Sequence, residues 1–123
     1  MKKNGKCKVF IVEDNLLYQQ LIARQFDNFS YDVHCFTKGE ACVEKTRSIC
    51  PHIVVLDYHL EGNLNGLETL REIRAYDTSV FAVVYSTEKC LGTEVNYSLY
   101  GNFKYIEKTE TSLRYFQTCL ASL

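Results

Sequence analysis

The stretch PHIVVLDYHLEG, residues 51–62, combines an unbroken apolar run with an aspartate at its end. Its apolar run Ile53–Leu56 is unbroken and mostly β-branched, which is typical of a strand that is buried on both faces of a sheet. The run ends on Asp57, although aspartate is a poor strand residue and is rarely buried without a partner. The carboxylate of Asp57 is therefore expected either to face a cleft at the end of the strand or to be paired inside the protein.

Further segments look like strands, and helical patterns separate them. The five predicted strands are Val9–Val12, Asp32–Phe36, Ile53–Leu56, Val80–Tyr85 and Phe103–Ile106. Between the strands, apolar residues recur at helical spacing in four stripes: Leu17, Leu21, Ile22, Phe26 and Phe29; Leu67, Leu70 and Ile73; Leu91, Val95 and Leu99; and Leu113, Phe116, Leu120 and Leu123. Glu40–Ser48 is a less regular predicted helix. This alternation predicts a doubly wound α/β domain with helices on both faces of a parallel sheet, because parallel strands need crossover connections.

The composition favours one soluble domain that spans residues 1–123. The apolar content of 46% and the charged content of 24% are ordinary for a globular protein. The net charge of −1 disfavours direct binding to nucleic acid or to an anionic membrane. No window is long and apolar enough for a signal peptide or a membrane span, and the six cysteines show no CxxC pair. We therefore expect a cytoplasmic protein with reduced thiols.

Acidic residues follow two of the predicted strands. Glu13 and Asp14 come after the first strand, and Asp57 comes after the third. In a doubly wound sheet, ligands bind outside the carboxyl ends of the strands, so we expect the third strand to present Asp57 to a cleft rather than to bury it. If the two strands are neighbours, three carboxylates converge, and their mutual repulsion favours a bound divalent cation such as Mg²⁺. The alternative is that Glu13 and Asp14 only cap the following helix.

A hydroxyl and an ammonium group follow the last two predicted strands. Ser86 and Thr87 come directly after the fourth strand, and Lys108 comes shortly after the fifth. Each alone has an ordinary explanation, as a helix cap or as a solvated surface charge. Together they supply the hydrogen-bond donor and the positive charge that a phosphoryl group on Asp57 would need.

At these positions the chain resembles the receiver domain of two-component response regulators. The matching positions, in the family's order along the chain, are Glu13 and Asp14 for the acidic pair, Asp57 for the phosphorylated aspartate, Ser86 for the switch hydroxyl, Tyr105 for the aromatic switch and Lys108 for the lysine. The resemblance covers essentially the whole chain. It implies a flavodoxin-like (βα)5 three-layer sandwich with a parallel five-stranded sheet of order 2-1-3-4-5.

The resemblance also implies a mechanism and partners. A sensor histidine kinase or a histidine phosphotransfer protein would donate a phosphoryl group to Asp57, with Mg²⁺ bound by Asp57, the acidic pair and the backbone carbonyl of His59. The imidazole of His59 is a further candidate ligand. The output would be a downstream protein target or a fused output domain outside this chain. Ser86 and Tyr105 would switch an output surface rich in aromatic residues, which contains Tyr97, Tyr100, Phe103, Lys104 and Tyr105.

The sequence departs from the family pattern at three places near the site. Thr109 follows Lys108 where the family usually has a proline in a cis bond, so we expect a trans bond or an altered loop. The loop of residues 58–66 lacks the usual proline and is one residue longer. Thr87 stands where a small residue is common. With His59 it is predicted to shield the acyl phosphate from water and to slow hydrolysis.

Two other functions compete with the signalling switch. The first is a Mg²⁺-dependent phosphatase that uses Asp57 as its nucleophile. Such enzymes typically carry a second aspartate two residues further on, where this chain has His59. The second is a receiver fold that serves as an unphosphorylated interaction module. This is disfavoured because every acidic and switch position is present. We therefore expect a phosphoacceptor switch rather than an enzyme that turns over a separate substrate.

Overall fold

The computed structural model describes residues 5–26, 28–60, 62–87 and 100–108. In these residues a five-stranded parallel sheet has the order β2-β1-β3-β4-β5, which confirms the predicted order. The strands and helices are β1 (Cys7–Val12), α1 (Leu16–Ala23), β2 (Tyr31–Phe36), α2 (Gly39–Thr46), β3 (Ile53–Asp57), α3 (Gly66–Arg74), β4 (Phe81–Ser86) and β5 (Phe103–Glu107).

Three of the strands extend one residue further toward the site than the sequence predicts, and the third of these, β5, ends at Glu107. Asp57 is the last residue of β3, and Ser86 is the last residue of β4. In the sheet register, Asp57 lies beside Tyr85 and Ser86 lies beside Glu107. The carboxyl ends of β3, β4 and β5 therefore meet at one edge of the sheet, where the candidate site residues are.

The central strand β3 is buried on both faces, as its sequence predicts. Ile53 and Val55 belong to a core cluster that also contains Ile22 of α1. Val54 and Leu56 belong to a second cluster on the other face, with residues of α2 and α3. Because each fully buried aliphatic side chain of this size contributes roughly 1.5–3 kcal/mol, the two clusters hold β3, and with it Asp57, firmly in the sheet.

Asparagine caps start α1 and α3, the helices that follow β1 and the loop after β3. The side chain of Asn15 accepts a hydrogen bond from the backbone of Tyr18, at 2.9 Å, at the start of α1. Asn65 and Glu68 form a reciprocal capping box at the start of α3, with both hydrogen bonds at 2.8 Å. Such caps typically stabilise a helix by about 1 kcal/mol. They set where each site loop ends and its helix begins.

The apolar stripe predicted for the first helix is buried at Ile22 and Phe26 but not at its other positions. Leu17 is 73% exposed, and Phe29, which lies beyond the end of α1, is 94% exposed. The face that packs on the sheet contains Ile22 and the buried Gln19. Gln19 is buried because its amide donates to the backbone carbonyls of Glu13 and Phe36 where β1 and β2 end. The polar residue Gln19 therefore lies on the buried face of α1, where hydrophobic spacing predicts a leucine.

The less regular predicted helix is present as α2, at Gly39–Thr46. The predicted stripes that begin at Leu91 and at Leu113, together with Tyr97 and Thr109, lie outside the described residues. No helix within the described ranges combines the length and the apolar character needed to cross a membrane. None of the four cysteines in the described part of the chain forms a disulfide.

Candidate functional site

The carboxylate of Asp57 is buried at the carboxyl end of β3, where it is 2% exposed. Its Oδ1 accepts a hydrogen bond of 3.1 Å from the backbone N–H of His59, and its Oδ2 lies 3.3 Å from the Nζ of Lys108. The expectation that the strand presents Asp57 to a cleft instead of burying it is therefore wrong as to burial. The other initial alternative holds, because the carboxylate is paired inside the protein, although Asp57 is also the last residue of its strand.

Glu13 is more enclosed than a residue that merely caps a helix. It is 1% exposed, and its Oε2 accepts the backbone N–H of Asn15 at 3.0 Å. Its Oε1 accepts the hydroxyl of Tyr85 at 2.8 Å and lies 3.3 Å from the Nζ of Lys108. A buried carboxylate needs such partners, since an unpaired one is strongly disfavoured. Because the side chain of Asn15 caps α1, capping does not account for Glu13.

Lys108 connects the two buried carboxylates. Its backbone N–H donates to the carbonyl of Ser86 at 2.6 Å, which continues the pairing of β5 with β4 by one residue. Its ammonium lies at the same distance, 3.3 Å, from Glu13 Oε1 and Asp57 Oδ2, and its side chain is 18% exposed. The ammonium also lies over two aromatic rings, 4.7 Å from the ring centroid of Tyr18 and 4.9 Å from that of Tyr85.

The site raises the pKa of two of its groups. Burial, with the nearby charge of Glu13, raises the pKa of Asp57 from 3.8 to about 6, although Lys108 and the N–H of His59 oppose the change. Burial and the charge of Glu13 also raise the pKa of Tyr85 well above its ordinary value. The phenol of Tyr85 therefore stays protonated and acts as a hydrogen-bond donor. The elevated pKa of Asp57 reflects its burial first and the charge of Glu13 second, and Lys108 does not offset the two together.

Three carboxylates are close enough together to bind one cation. Oxygen atoms of Glu13, Asp14 and Asp57 all lie within 4.8 Å of one another. Oxygen ligands at such spacing suit a hard divalent cation, which would also relieve the repulsion that raises the pKa of Asp57. The acidic cluster is thus compatible with Mg²⁺. His59 is not a member of this group; it is exposed, and its ring packs against Tyr58 with centroids 4.8 Å apart.

The candidate switch residues lie on neighbouring strands. Ser86 is fully buried at the end of β4, whereas Thr87 is exposed directly after it. Tyr105 lies beside Val84 in the sheet register, is half-buried, and packs against the core cluster on the side of α2 and α3. Of the predicted output surface, Tyr100 and Phe103 pack against the same cluster, with ring centroids 6.3 Å apart, and Lys104 is exposed.

Sequence reasoning did not find Tyr18 and Tyr85 as members of the site. Their rings lie 5.7 Å apart, and both contact Lys108. Tyr85 was predicted only as a strand residue, although a tyrosine at the end of an otherwise aliphatic buried strand needs a partner for its hydroxyl. The need for a hydroxyl partner was the sequence signal that could have identified Tyr85 as a site residue. Tyr18 carried none, because its ring meets Lys108 only through the fold.

Comparison with known proteins agrees with this fold. The response regulator receiver domain family matches residues 9–117. The chain therefore belongs to that family and is a receiver domain of a two-component response regulator. Among curated proteins it is similar to the transcriptional regulatory protein CssR of Bacillus subtilis, with 29% identity over 105 residues, 81% of this chain and 44% of CssR. It spans less than half the length of the curated relatives it matches.

Solved structures show the same fold at low sequence identity. A CheY-like receiver domain protein from Methanospirillum hungatei superposes with a TM-score of 0.82 at 14% identity, over 96% of this chain and 93% of that one. The phosphorylated cyanobacterial phytochrome response regulator RcpA gives a TM-score of 0.75 at 23% identity, over 97% of each chain. The five-stranded sheet is therefore the flavodoxin-like sheet of CheY-like receivers.

Proposed function

We propose that this chain is a phosphoacceptor switch in which Asp57 receives a phosphoryl group from a phosphohistidine on a sensor histidine kinase or a histidine phosphotransfer protein. The observation that carries the proposal is the position of Lys108, 3.3 Å from Asp57, beside three carboxylates suited to one cation. A nucleophilic carboxylate, a cation site and a fixed ammonium are the groups that phosphoryl transfer requires.

The transfer uses the ionised form of Asp57. With a pKa of about 6, most of the carboxylate is ionised at neutral pH. A carboxylate oxygen attacks phosphorus, a P–O bond forms, and the P–N bond to the partner's imidazole breaks. The leaving nitrogen keeps the bonding electron pair. Lys108 stays beside the new acyl phosphate and neutralises part of its charge. Chemistry at Asp57 thus needs no large movement of the lysine.

The acidic cluster is the proposed magnesium site. Glu13, Asp14 and Asp57 would hold the ion, together with the backbone carbonyl of His59 that the family resemblance implies. When bound, Mg²⁺ offsets the negative charge of the carboxylates and of the phosphoryl oxygens. The half-exposed carboxylate of Asp14 lies where such an ion can enter, whereas Glu13 is enclosed by its partners in the protein.

Ser86 and Tyr105 are the proposed switch residues. Ser86 ends β4 and its carbonyl binds the backbone of Lys108, so a change at Ser86 is transmitted directly to the next strand. Tyr105 is half-buried on that strand, which leaves room for a more inward and a more outward position of its ring. Phosphorylation would bias this two-state element. We place the output surface around Phe103, Lys104 and Tyr105, for a separate protein target or for a further domain.

We also propose that residues 1–123 act as one receiver unit. Pairing joins the five strands of the described residues into a single sheet, with β2 and β5 at its two edges. The greater length of the curated relatives favours a fused output domain as one arrangement. To test whether residues 1–123 form one unit, they are expressed alone and the cooperativity of their unfolding is measured. A non-cooperative transition would contradict it.

Mass spectrometry of the intact chain tests the phosphoacceptor function. The chain is incubated with Mg²⁺ and a small acyl-phosphate donor, and we expect one added phosphoryl group. Asp57→Asn abolishes the addition, whereas Asp32→Asn, on the edge strand β2, retains it. Omission of Mg²⁺ with a chelator present suppresses it. Absence of labelling in the unmodified chain would overturn the proposal. Sustained turnover of a phosphoester would instead favour the phosphatase.

A further inference from the structure

Two tyrosine rings lie next to the buried carboxylates. Tyr18 is on α1 and Tyr85 is on β4. We propose that these two tyrosines are positioning residues that clamp the ammonium of Lys108 between Glu13 and Asp57. The role of the clamp in phosphoryl transfer rests on the proposed function, since it concerns the lysine that would neutralise the acyl phosphate. The existence of the clamp does not depend on it.

The carboxylates by themselves hold the ammonium loosely. Both distances are 3.3 Å, longer than the roughly 2.7–2.9 Å of a strong charge-assisted hydrogen bond. A lysine side chain is also flexible, and its ammonium has no fixed direction of donation. Two equal and rather long contacts therefore leave other positions of the Nζ of Lys108 accessible. Something else must select the observed one.

The aromatic rings supply that selection. A cation within about 6 Å of a ring centroid is attracted by the negative face of the ring, most strongly where water is excluded. The Nζ of Lys108 lies 4.7 Å from the ring centroid of Tyr18 and 4.9 Å from that of Tyr85, and the lysine is only 18% exposed. Two rings and two carboxylates therefore define one position for the charge.

Tyr85 contributes through both of its parts. Its hydroxyl donates to Glu13 Oε1, the same oxygen that contacts Lys108, so the phenol and the ammonium share one acceptor. Its backbone carbonyl accepts the N–H of Tyr58 at 2.8 Å, directly after Asp57. The position of the ring is thereby tied to both carboxylates of the site. Tyr18 acts on Lys108 through its ring.

The competing explanation is that the two rings only fill the core. Both pack on the cluster that contains Ile22 and Val55. Core filling and clamping make opposite predictions for Lys108. If the ring of Tyr18 only fills the core, Lys108 stays over the ring of Tyr85 when the ring of Tyr18 is removed; if the ring clamps the ammonium, Lys108 leaves both rings.

Proton and carbon NMR of the metal-free, unphosphorylated chain separates the two. The Hε and Cε signals of Lys108 are assigned by their disappearance in Lys108→Met. We expect the Hε protons to be shifted upfield, away from the other lysines, by the ring currents. Tyr18→Phe retains this shift. Tyr18→Leu loses the ring current of Tyr18 in either case, and the clamp predicts that the contribution of Tyr85 is lost as well, so that the signals reach those of the solvated lysines. Tyr85→Phe, which keeps the ring and removes the hydroxyl, retains most of the shift.

The rate of phosphoryl uptake from a small acyl phosphate provides the second readout. Tyr18→Leu is expected to slow uptake by roughly three- to tenfold, the size that loss of one cation–π contact implies. Tyr18→Phe restores the rate. Because Tyr18 is half-buried, its leucine variant is expected to fold, and this is checked by cooperative unfolding. If it does not fold, the Lys108 signals in wild type and Tyr18→Phe decide the matter.

Each result counts for or against the clamp. Lys108 signals that coincide with those of the other lysines in the wild-type chain would overturn it, as would signals in Tyr18→Leu that keep the upfield shift from the ring of Tyr85. Unchanged uptake in Tyr18→Leu would overturn its role in transfer. If no variant is labelled at Asp57 while the ring-current shifts are present, the phosphoacceptor function fails and the clamp stands.

Discussion

Gly66 packs against the backbone of Asp57 so closely that no side chain fits between them. Its N–H donates to the carbonyl of Tyr58 at 2.9 Å, and a Cβ at residue 66 would overlap the carbonyl oxygen of Asp57 and come within 2.8 Å of the Cα of Tyr58. Those atoms are backbone at the end of β3 and cannot move aside without moving the nucleophile. The absence of a side chain at Gly66 thus sets how closely α3 approaches the site.

Gly66→Ala is therefore expected to destabilise the chain and to impair the site. Overpacking of this kind costs about 1–3 kcal/mol, and relief of the overlap displaces Asp57 from Lys108. Chemical denaturation measures the first effect, and phosphoryl uptake measures the second. Gly5→Ala is the matched control, because nothing lies within 4 Å of a Cβ at Gly5. Equal stability and uptake in the two variants would contradict the steric argument.

Asp57→Asn is expected to stabilise the metal-free chain at neutral pH. The pKa of Asp57 is 3.8 ordinarily and about 6 in the fold, so the folded state binds a proton more readily than the unfolded one. The stability that protonation confers is complete below pH 3.8 and is lost as the pH rises through about 6. The asparagine variant does not undergo that loss, so we expect its free energy of unfolding at pH 7.5 to exceed that of wild type by on the order of 2 kcal/mol.

Unfolding from pH 4 to pH 8, with a chelator present, checks this dependence. The difference in unfolding free energy between Asp57→Asn and wild type should grow with pH and level off above about pH 7. Glu72→Gln, which makes the same charge change on an exposed residue of α3, serves as the control. A constant difference between Asp57→Asn and wild type across the range would contradict the assigned pKa.

Mg²⁺ is expected to stabilise the chain through the acidic cluster. A ligand at about one hundred times its dissociation constant adds about 2.7 kcal/mol to the unfolding free energy. Thermal unfolding at increasing Mg²⁺ measures the gain. Asp14→Asn should remove most of it, because a carboxylate oxygen of the cluster becomes a neutral amide. Asp32→Asn should keep it. Equal gains in Asp14→Asn and wild type would exclude Asp14 as a ligand.

Thr87 and His59 are predicted to slow hydrolysis of the acyl phosphate. Both residues are exposed, and they follow the ends of β4 and β3 that carry Ser86 and Asp57. The double variant Thr87→Ala, His59→Ala should therefore lose phosphoryl groups several-fold faster. The decay of phosphorylated chain by intact mass measures the lifetime. Thr78→Ala, at an exposed loop threonine, is the control. An unchanged lifetime in the double variant would rule out shielding.

Much of the site could be predicted because its residues follow recognisable strands. The apolar run before Asp57, and the similar runs before Glu13 and Ser86, place those side chains at one edge of the sheet once the strands are known to be parallel. Tyr18 and Gln19 could not be placed this way. Both lie on α1, where spacing favoured Leu17 and Leu21 as the buried face. The orientation of α1 depends on which carbonyls at the strand ends need a donor, and hydrophobic periodicity does not report that.

The parallel α/β sheet, the acidic edge and the family follow from the amino-acid sequence, because apolar periodicity and strand-end chemistry are local properties. The burial of Asp57, the equal distances of Lys108 from Asp57 and Glu13, and the contact of Tyr85 with this group follow only from the folded structure. These contacts link β1, β3, β4 and the residue after β5, which are distant in sequence. Their distances follow from sheet register and helix packing, and these arise from the folded chain as a whole.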